Sequence, residues 1–290
     1  MHREDLGVAA LVEGRAFVDL SGHRKVRVGG TDAASWLHDL VTAPVAGLAP
    51  GEAARSLVLT PTGRIRADIH VVRTDDGFVL LQDPDQPEHI GLLLAPYVLS
   101  SDVVLEDATG SLALFAIPGA GASLVGHPGS SPSILGEGID VLVGAGKPAW
   151  RFEDTLVRAD LTEADGEAAE RWRIMGGRPK MGPDFSDDSL PAEVGLEHVI
   201  DWTKGCFLGQ ESVAKVRNLG HPPWLVMACS VLGTAEPGDA LLVAGGEIGH
   251  LTSVAPADPR SWAVGRLRWE ARAEIVTLPD GRIVRTAPPG

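Results

Sequence analysis

The chain has 290 residues, 44% of them hydrophobic, with 39 acidic against 25 basic side chains and a formal net charge of −14. That length exceeds one ordinary domain and fits roughly two, each able to bury its own core. The charge repels phosphate backbones and counts against direct nucleic-acid binding, while two cysteines without CxxC or Cys/His spacing exclude a disulfide framework and a typical zinc site.

So sparse a cysteine content predicts a reducing, cytoplasmic setting. Met1-His2-Arg3-Glu4-Asp5 carries acids and no long apolar run, so no signal peptide is expected. The apolar runs Leu92–Leu99 and Leu112–Pro118 are too short to cross a bilayer, which predicts a soluble protein with no membrane partner.

In chain order, Thr31 is the expected N-cap of an amphipathic helix carrying Ala33, Ala34, Trp36, Leu37, Leu40 and Val41 at helical spacing. Strands are predicted over Arg55–Leu59 and Arg64–Arg73, joined by the turn Thr60-Pro61-Thr62-Gly63. Ile65, Ala67, Ile69 and Val71 share one face of the second strand. Arg66, Asp68 and His70 share the other, which periodicity alone reads as solvated, with a site carboxylate at Asp68 as the sharper reading. A strand over Gly77–Leu81, a helix over Pro87–Val98 and a strand over Val103–Asp107 continue an α+β pattern of mixed, largely antiparallel pairing, and Leu112–Ile117 begins another unit.

From Pro118 to Pro148 the composition is rich in Gly, Ser and Pro, its first part expected as a surface excursion, with a strand over Ile139–Val143. A helix is expected over Asp165–Ile174. After Gly220-His221-Pro222-Pro223 the character turns all-β, with short strands over Trp224–Val231, Ala240–Val243, Glu247–Val254, Trp262–Arg268 and Glu274–Leu278. These predict a small barrel that closes its own edges. The boundaries that follow are a domain over 1–219, with an inserted subdomain near 50–110, and a barrel domain over 220–290.

The segment Lys204-Gly205-Cys206-Phe207-Leu208-Gly209-Gln210-Glu211 places a cysteine between a lysine and an expected helix start. Both the helix dipole and the Lys204 ammonium favour thiolate over thiol, so Cys206 reads as a nucleophile or metal ligand. The competing reading is a buried apolar filler, the usual fate of a free cysteine. Cys229, inside an expected strand, reads as core. Two cysteines cannot ligate an iron–sulfur cluster alone, so sulfur chemistry at Cys206 has to be shared with a partner or pass through a transient covalent state. His198 and His221 lie near Cys206 in sequence but carry no motif of a thiol hydrolase.

The same segment resembles the KGC[YF]xGQE signature of the YgfZ group of folate-binding proteins, relatives of the glycine cleavage T-protein, an aminomethyltransferase. The likeness recurs in order at Val18–Ser21, Val28–Ala33, Trp36–Thr42, Leu59–Ile65, Leu190–Leu196 and Gly249–Ser253. It implies a folate-binding aminomethyltransferase-like domain of ferredoxin-like subdomains with a C-terminal β-barrel in a three-lobed arrangement around a tetrahydrofolate site. It further implies a role in making or repairing iron–sulfur proteins, including enzymes that thiolate tRNA, with folate and iron–sulfur proteins or assembly factors as partners.

On that resemblance Cys206 is the essential thiol with Lys204 its electrostatic activator, and Asp68, Glu193 and Gln210 are candidate folate contacts. Two departures stand out. Where aminomethyltransferases resemble GGxxDD, this chain has Gly63-Arg64-Ile65-Arg66-Ala67-Asp68, and where relatives resemble R[IL]EAG it has Arg173-Ile174-Met175-Gly176-Gly177. Met175 lacks the carboxylate that pairs with the pterin, leaving buried donors unsatisfied at roughly 1–3 kcal/mol each. This counts against tight folate binding and more strongly against aminomethyl transfer. An aminomethyltransferase-like one-carbon transferase is the alternative function, and a folate-sensing or scaffolding module a third.

Overall fold

The computed structural model describes residues 3–119, 123, 125, 127 and 130–290. Met1 and His2, on which the reading of the N-terminus partly rests, and residues 120–122, 124, 126, 128 and 129 of the expected excursion lie outside them. The chain divides into two compact units, both discontinuous. The first takes Met1–Leu59, Arg66–Ala169 and Val199–Leu208; the second takes Thr60–Ile65, Glu170–His198 and Gly209–Gly290.

Unit 1 opens with α1 (Arg3–Val12), β1 (Ala16–Asp19), β2 (Arg24–Gly29) and α2 (Ala33–Leu40), then β3 (Ala53–Leu59), β4 (Ile65–Thr74) and β5 (Gly77–Gln82). It continues through α3 (Ile90–Leu94), β6 (Val104–Asp107), β7 (Leu112–Pro118), β8 (Ser130–Pro132), β9 (Gly138–Gly144), α4 (Lys147–Arg158) and β10 (Thr162–Glu163). One five-stranded sheet runs in the order β3-β4-β5-β2-β6 and a second in the order β10-β1-β7-β9-β8, with β1 parallel to β10.

Along β4, Ile65, Ala67, Ile69 and Val71 are buried as predicted, and Ala67, Ile69 and Val71 pack with Leu37, Trp36 and Val41 of the α2 region and Ile90 and Leu94 of α3, while His70 and Val72 of the other face are buried as well. Each of the larger aliphatic side chains, such as Ile69 and Val71, contributes about 1.5–3 kcal/mol by leaving water. Every residue of β5 is buried, because both faces of this central strand are covered. On one side lies the helix-covered core; on the other, Val72, Val79 and Leu81 meet Leu114 of the second sheet.

Two local expectations are corrected. Asp32, not Thr31, occupies the N-cap of α2 and makes no side-chain cap bond. The Thr31 hydroxyl donates instead to Asp102 Oδ2 at 2.7 Å, a partner 71 residues away that outcompetes the helix end. The helix expected over Pro87–Val98 is α3 followed by a single tighter turn, Ala95–Tyr97. Pro96 there has no N–H to continue the α-helical ladder.

α5 (Gly166–Met175) leads from unit 1 into unit 2 along the chain, and α6 (Gln210–Leu219) precedes the barrel strands β11 (Trp224–Leu232), β12 (Ala240–Val243), β13 (Gly246–Ala255), β14 (Arg260–Arg268), β15 (Val276–Thr277) and β16 (Ile283–Ala287). They close in the order β11-β14-β13-β12-β15-β16, as the all-β reading predicted. Closure uses β16, a strand the sequence reading did not include, which pairs with β11 at Cys229↔Thr286 and with β15 at Val276↔Val284. Cys229 sits in the barrel core with Met227, Leu241, Leu251 and Leu267. Burial pushes its thiol up to about 12, so it is apolar filler as expected.

Candidate functional site

The segment Val199–Leu208 belongs to unit 1 because it wraps the C-terminal end of α2. Thr42 Oγ1 donates to Val199 O at 3.0 Å, Asp201 N–H to Thr42 O at 3.0 Å, and Leu208 N–H to Asp39 O at 3.2 Å. Asp201 closes a tight turn by accepting from Thr203 N–H and Thr203 Oγ1, both at 2.7 Å, and from Lys204 N–H at 3.2 Å. These bonds hold the Asp201 carboxyl below its usual range.

Lys204 Nζ donates to Val41 O at 2.5 Å, to Ala43 O at 3.1 Å and to His38 O. An ammonium has three N–H donors, and here each has a carbonyl: those of His38 and Val41 at the C-terminus of α2, where the dipole favours positive charge, and that of Ala43 in the loop beyond. Lys204 also lies 5.3 Å from the centroid of buried Phe207. Burial lowers its pKa to about 8, with Asp39 and Asp201 pulling the other way. The ammonium thus fastens the loop, and Cys206 stands exposed upon it as a free thiol. Nothing touches the position of a Gly205 side chain, so the backbone before the cysteine is open to solvent.

Asp68 lies elsewhere in unit 1, on β4, and its surroundings differ from the solvated face read from periodicity. Arg55 grips its carboxylate twice, Nε to Oδ1 at 3.0 Å and Nη2 to Oδ2 at 2.6 Å. Gln86 clamps the same residue's backbone, accepting from Asp68 N–H at 3.1 Å and donating to Asp68 O at 2.7 Å. His70, two residues on, is buried, and its Nδ1 has no partner among the described residues. Burial, reinforced by the Arg55 charge, drives its pKa to about 4, so the ring is neutral near pH 7. Arg55 and Gln86 were missed in sequence because Asp68, the partner of both, is 13 and 18 residues distant and on another element.

Glu193, Gln210 and Met175 belong to unit 2. Glu193 is buried, and its Oε2 accepts from Leu190 N–H at 3.1 Å, closing its own turn. Gln210 is the first residue of α6, after Gly209 in the left-handed region at φ 82°. The predicted turn Thr60–Gly63 rests against this helix start, with Ser212 Oγ donating to Pro61 O at 2.9 Å. A Cβ at Gly63 would meet Ser212 Cβ at 2.9 Å, which explains the glycine. Met175 ends α5, half-buried, with no oxygen to offer.

The same unit contains a buried ionic network that sequence reasoning did not single out. Arg173 donates from Nη1 to Asp184 Oδ2 at 2.7 Å and to Arg178 O, from Nε and Nη2 to Glu170 at 2.8 and 2.6 Å, and from Nη2 to Ser253 Oγ at 3.2 Å. The Asp184 side chain is fully buried and also accepts from Thr252 and Ser253 hydroxyls, both at 2.6 Å. Arg173 and the Gly249–Ser253 stretch, both in motif-like segments, lock α5 and the following loop to β13. His198 and His221, weighed for a hydrolase, have structural partners: His198 Nδ1 contacts Gly195 O at 2.9 Å, and His221 stacks on Trp269 at 3.7 Å.

Comparison with known proteins agrees with this architecture. A putative chloroplastic transferase of Arabidopsis thaliana is 27% identical over 279 residues, covering 86% of this chain and 64% of the relative, so this chain spans under two thirds of that protein. The tRNA-modifying protein YgfZ of Escherichia coli (strain K12 / DH10B) is 26% identical over 76% of this chain and 74% of its own length. An aminomethyltransferase of Picosynechococcus is 25% identical over 81% and 73%. The crystal structure of the glycine cleavage system aminomethyltransferase T from Bartonella henselae superposes with a TM-score of 0.82 over 97% of this chain and 88% of that one, at 18% identity. The chain therefore has the aminomethyltransferase T fold, an α+β architecture with a closed six-stranded barrel, and its residues 6–126 match the GCVT N-terminal domain family.

Proposed function

We propose that this chain is an accessory protein for iron–sulfur cluster assembly or repair that works through Cys206, supporting iron–sulfur enzymes including tRNA-thiolating ones. The observation that carries the reading is the exposed Cys206 thiol on a loop fastened to α2 by the Lys204 ammonium. The other cysteine is sealed in the barrel core, its thiol pushed up to about 12, so a single accessible sulfur is on offer. One sulfur supplies one of the four ligands a cluster commonly takes, and the remainder come from an iron–sulfur client, an assembly factor or small thiols. The likeness to a tRNA-modifying protein supports the same reading.

Tetrahydrofolate is the ligand implied by the resemblance, and the residues present fit it poorly. Asp68 is gripped by Arg55, one Glu193 oxygen is engaged in its own turn, and Met175 supplies no acceptor. The chain is expected to bind folate weakly and Met175→Glu to raise the affinity, measured by calorimetric titration with tetrahydrofolate. The alternative, an aminomethyltransferase-like one-carbon transferase, draws on the fold and is opposed by the same residues.

The experiment that tests the main reading is complementation of a deletion strain with the unaltered chain and with Cys206→Ser. Iron–sulfur enzyme activities are restored by the first and not by the second. Equal restoration by both would overturn the thiol's role, and enzymatic production of methylenetetrahydrofolate from an aminomethyl-lipoyl carrier would favour the alternative.

A further inference from the structure

Within unit 1, a cleft of about 650 Å³ opens where the packing between the two sheets ends. Its apolar walls are Val72 and Val79 from the first sheet and Leu112 and Leu142 from the second. That volume is in the range of small-molecule sites, and none of Asp68, Glu193, Gln210 or Cys206 lines it.

Arg73 gives the cleft its chemistry. Its guanidinium lies 4.6 Å over the Phe78 ring, and Nη1 donates to Gly77 O at 3.3 Å. Nε is buried and has no acceptor among the described residues. Nε and Nη2 form the side-on edge of a guanidinium, the edge that takes both oxygens of a carboxylate. A dehydrated donor without an acceptor is destabilising, and an incoming carboxylate toward which the guanidinium turns relieves it. The other charges facing the cleft are Arg27, paired with Glu106 at 3.5 Å, and the exposed Asp75 and Asp76 at the β4–β5 turn. Counting these, acids outnumber bases, so a polyanion is repelled and a single carboxylate at Arg73 is tolerated.

We propose that this cleft is a binding site for a small amphipathic monocarboxylate, its apolar body against Val72, Val79, Leu112 and Leu142 and its carboxylate on Arg73. The site is separate from the thiol loop and from the folate contacts, and it does not depend on the function proposed above.

The test is calorimetric and ligand-observed NMR titration of the full chain with octanoate, octanol, octylamine and inorganic phosphate. Octanoate saturates at one molecule per chain, and octanol, octylamine and phosphate bind at least tenfold more weakly. Arg73→Gln weakens octanoate at least tenfold, and Arg73→Lys, which keeps the charge over Phe78 but loses the paired donors, weakens it by several-fold. Leu112→Trp, which fills the cleft and leaves Arg73 in place, also abolishes binding; circular dichroism confirms that each variant is folded. Absence of saturation at low-millimolar octanoate, equal affinity for octanol, or unchanged octanoate affinity in folded Arg73→Gln would each overturn the proposal.

Discussion

Arg173 in unit 2 and Lys204 in unit 1 are both cations drawn out of water, and they are held in opposite ways. For Arg173, burial works against the charge, and the hydrogen bonds and charges of Glu170 and Asp184 overcome it, so its pKa is raised. Lys204 meets carbonyl dipoles and the Phe207 ring but no carboxylate directly, with Asp39 and Asp201 acting at a distance, and burial wins, bringing it to about 8. Carboxylate partners make a permanent fastening; carbonyl partners make one that titrates close to physiological pH. The barrel network is therefore scaffold. The clasp beneath the thiol is adjustable.

The largest expected effect falls on the permanent fastening. Asp184→Asn leaves Arg173 without its fully buried counter-charge, and urea unfolding should show a loss of about 3–5 kcal/mol. A loss below about 1 kcal/mol would erase the contrast between the two cations.

His70 extends the comparison to a buried group that stays neutral. Its folded pKa of about 4 lies below the ordinary 6.5, so between those values the unfolded chain binds the extra proton. Stability attributable to His70 is complete above pH 6.5 and is lost as pH falls toward 4, by roughly 3 kcal/mol at most. Wild type and a folded His70→Asn variant, compared by urea unfolding from pH 7 to 4, should diverge in that window with the variant less acid-sensitive.

Lys204→Met sharpens the other side. It removes three charge-assisted hydrogen bonds, and a loss of about 2 kcal/mol is expected, with faster amide hydrogen exchange confined to Val199–Leu208 and the end of α2. The pH dependence has a definite sign. Because the folded pKa of about 8 lies below 10.5, the folded chain releases its proton first, so wild-type stability relative to Lys204→Met rises between pH 8 and 10.5. A flat difference across that range would show that burial does not disfavour the ammonium. The smallest effect belongs to Cys206→Ser, expected within about 0.5 kcal/mol of wild type in the same unfolding measurement because the side chain is exposed.

Much of the architecture was readable from local pattern. The period-2 alternation in β4 and the short strands after Pro223 located one sheet and the barrel because each residue's burial there follows its neighbours. β16 escaped because Ile283–Ala287 is five residues long with Ile283, Arg285 and Ala287 exposed. α4 carried a usable signal, with Ala149, Phe152 and Leu156 buried at helical spacing behind a proline in the first turn, and it was overlooked amid the Gly- and Pro-rich composition before it.

The site was legible in part. Cys206 is exposed, and the three donors of Lys204 go to carbonyls more than 160 residues away, partners of which the segment itself carries no sign. Arg55 on Asp68 and Asp184 on Arg173 were hidden for the same reason. Periodicity reports which face a side chain shares, not which distant group meets it.

The clasp at α2 also sets an order of events during synthesis. The carbonyls of His38, Val41 and Ala43 emerge early, and the lysine that satisfies them is 161 to 166 residues later. At about 5–20 residues per second, the ribosome needs roughly 8–33 seconds to bridge that gap. Unit 1 is completed only when Val199–Leu208 has been made and docked, so the nascent chain acquires its fastened thiol as the last act of assembling that unit. A ribosome-stalled chain ending before residue 199 would carry both sheets and no cysteine at all.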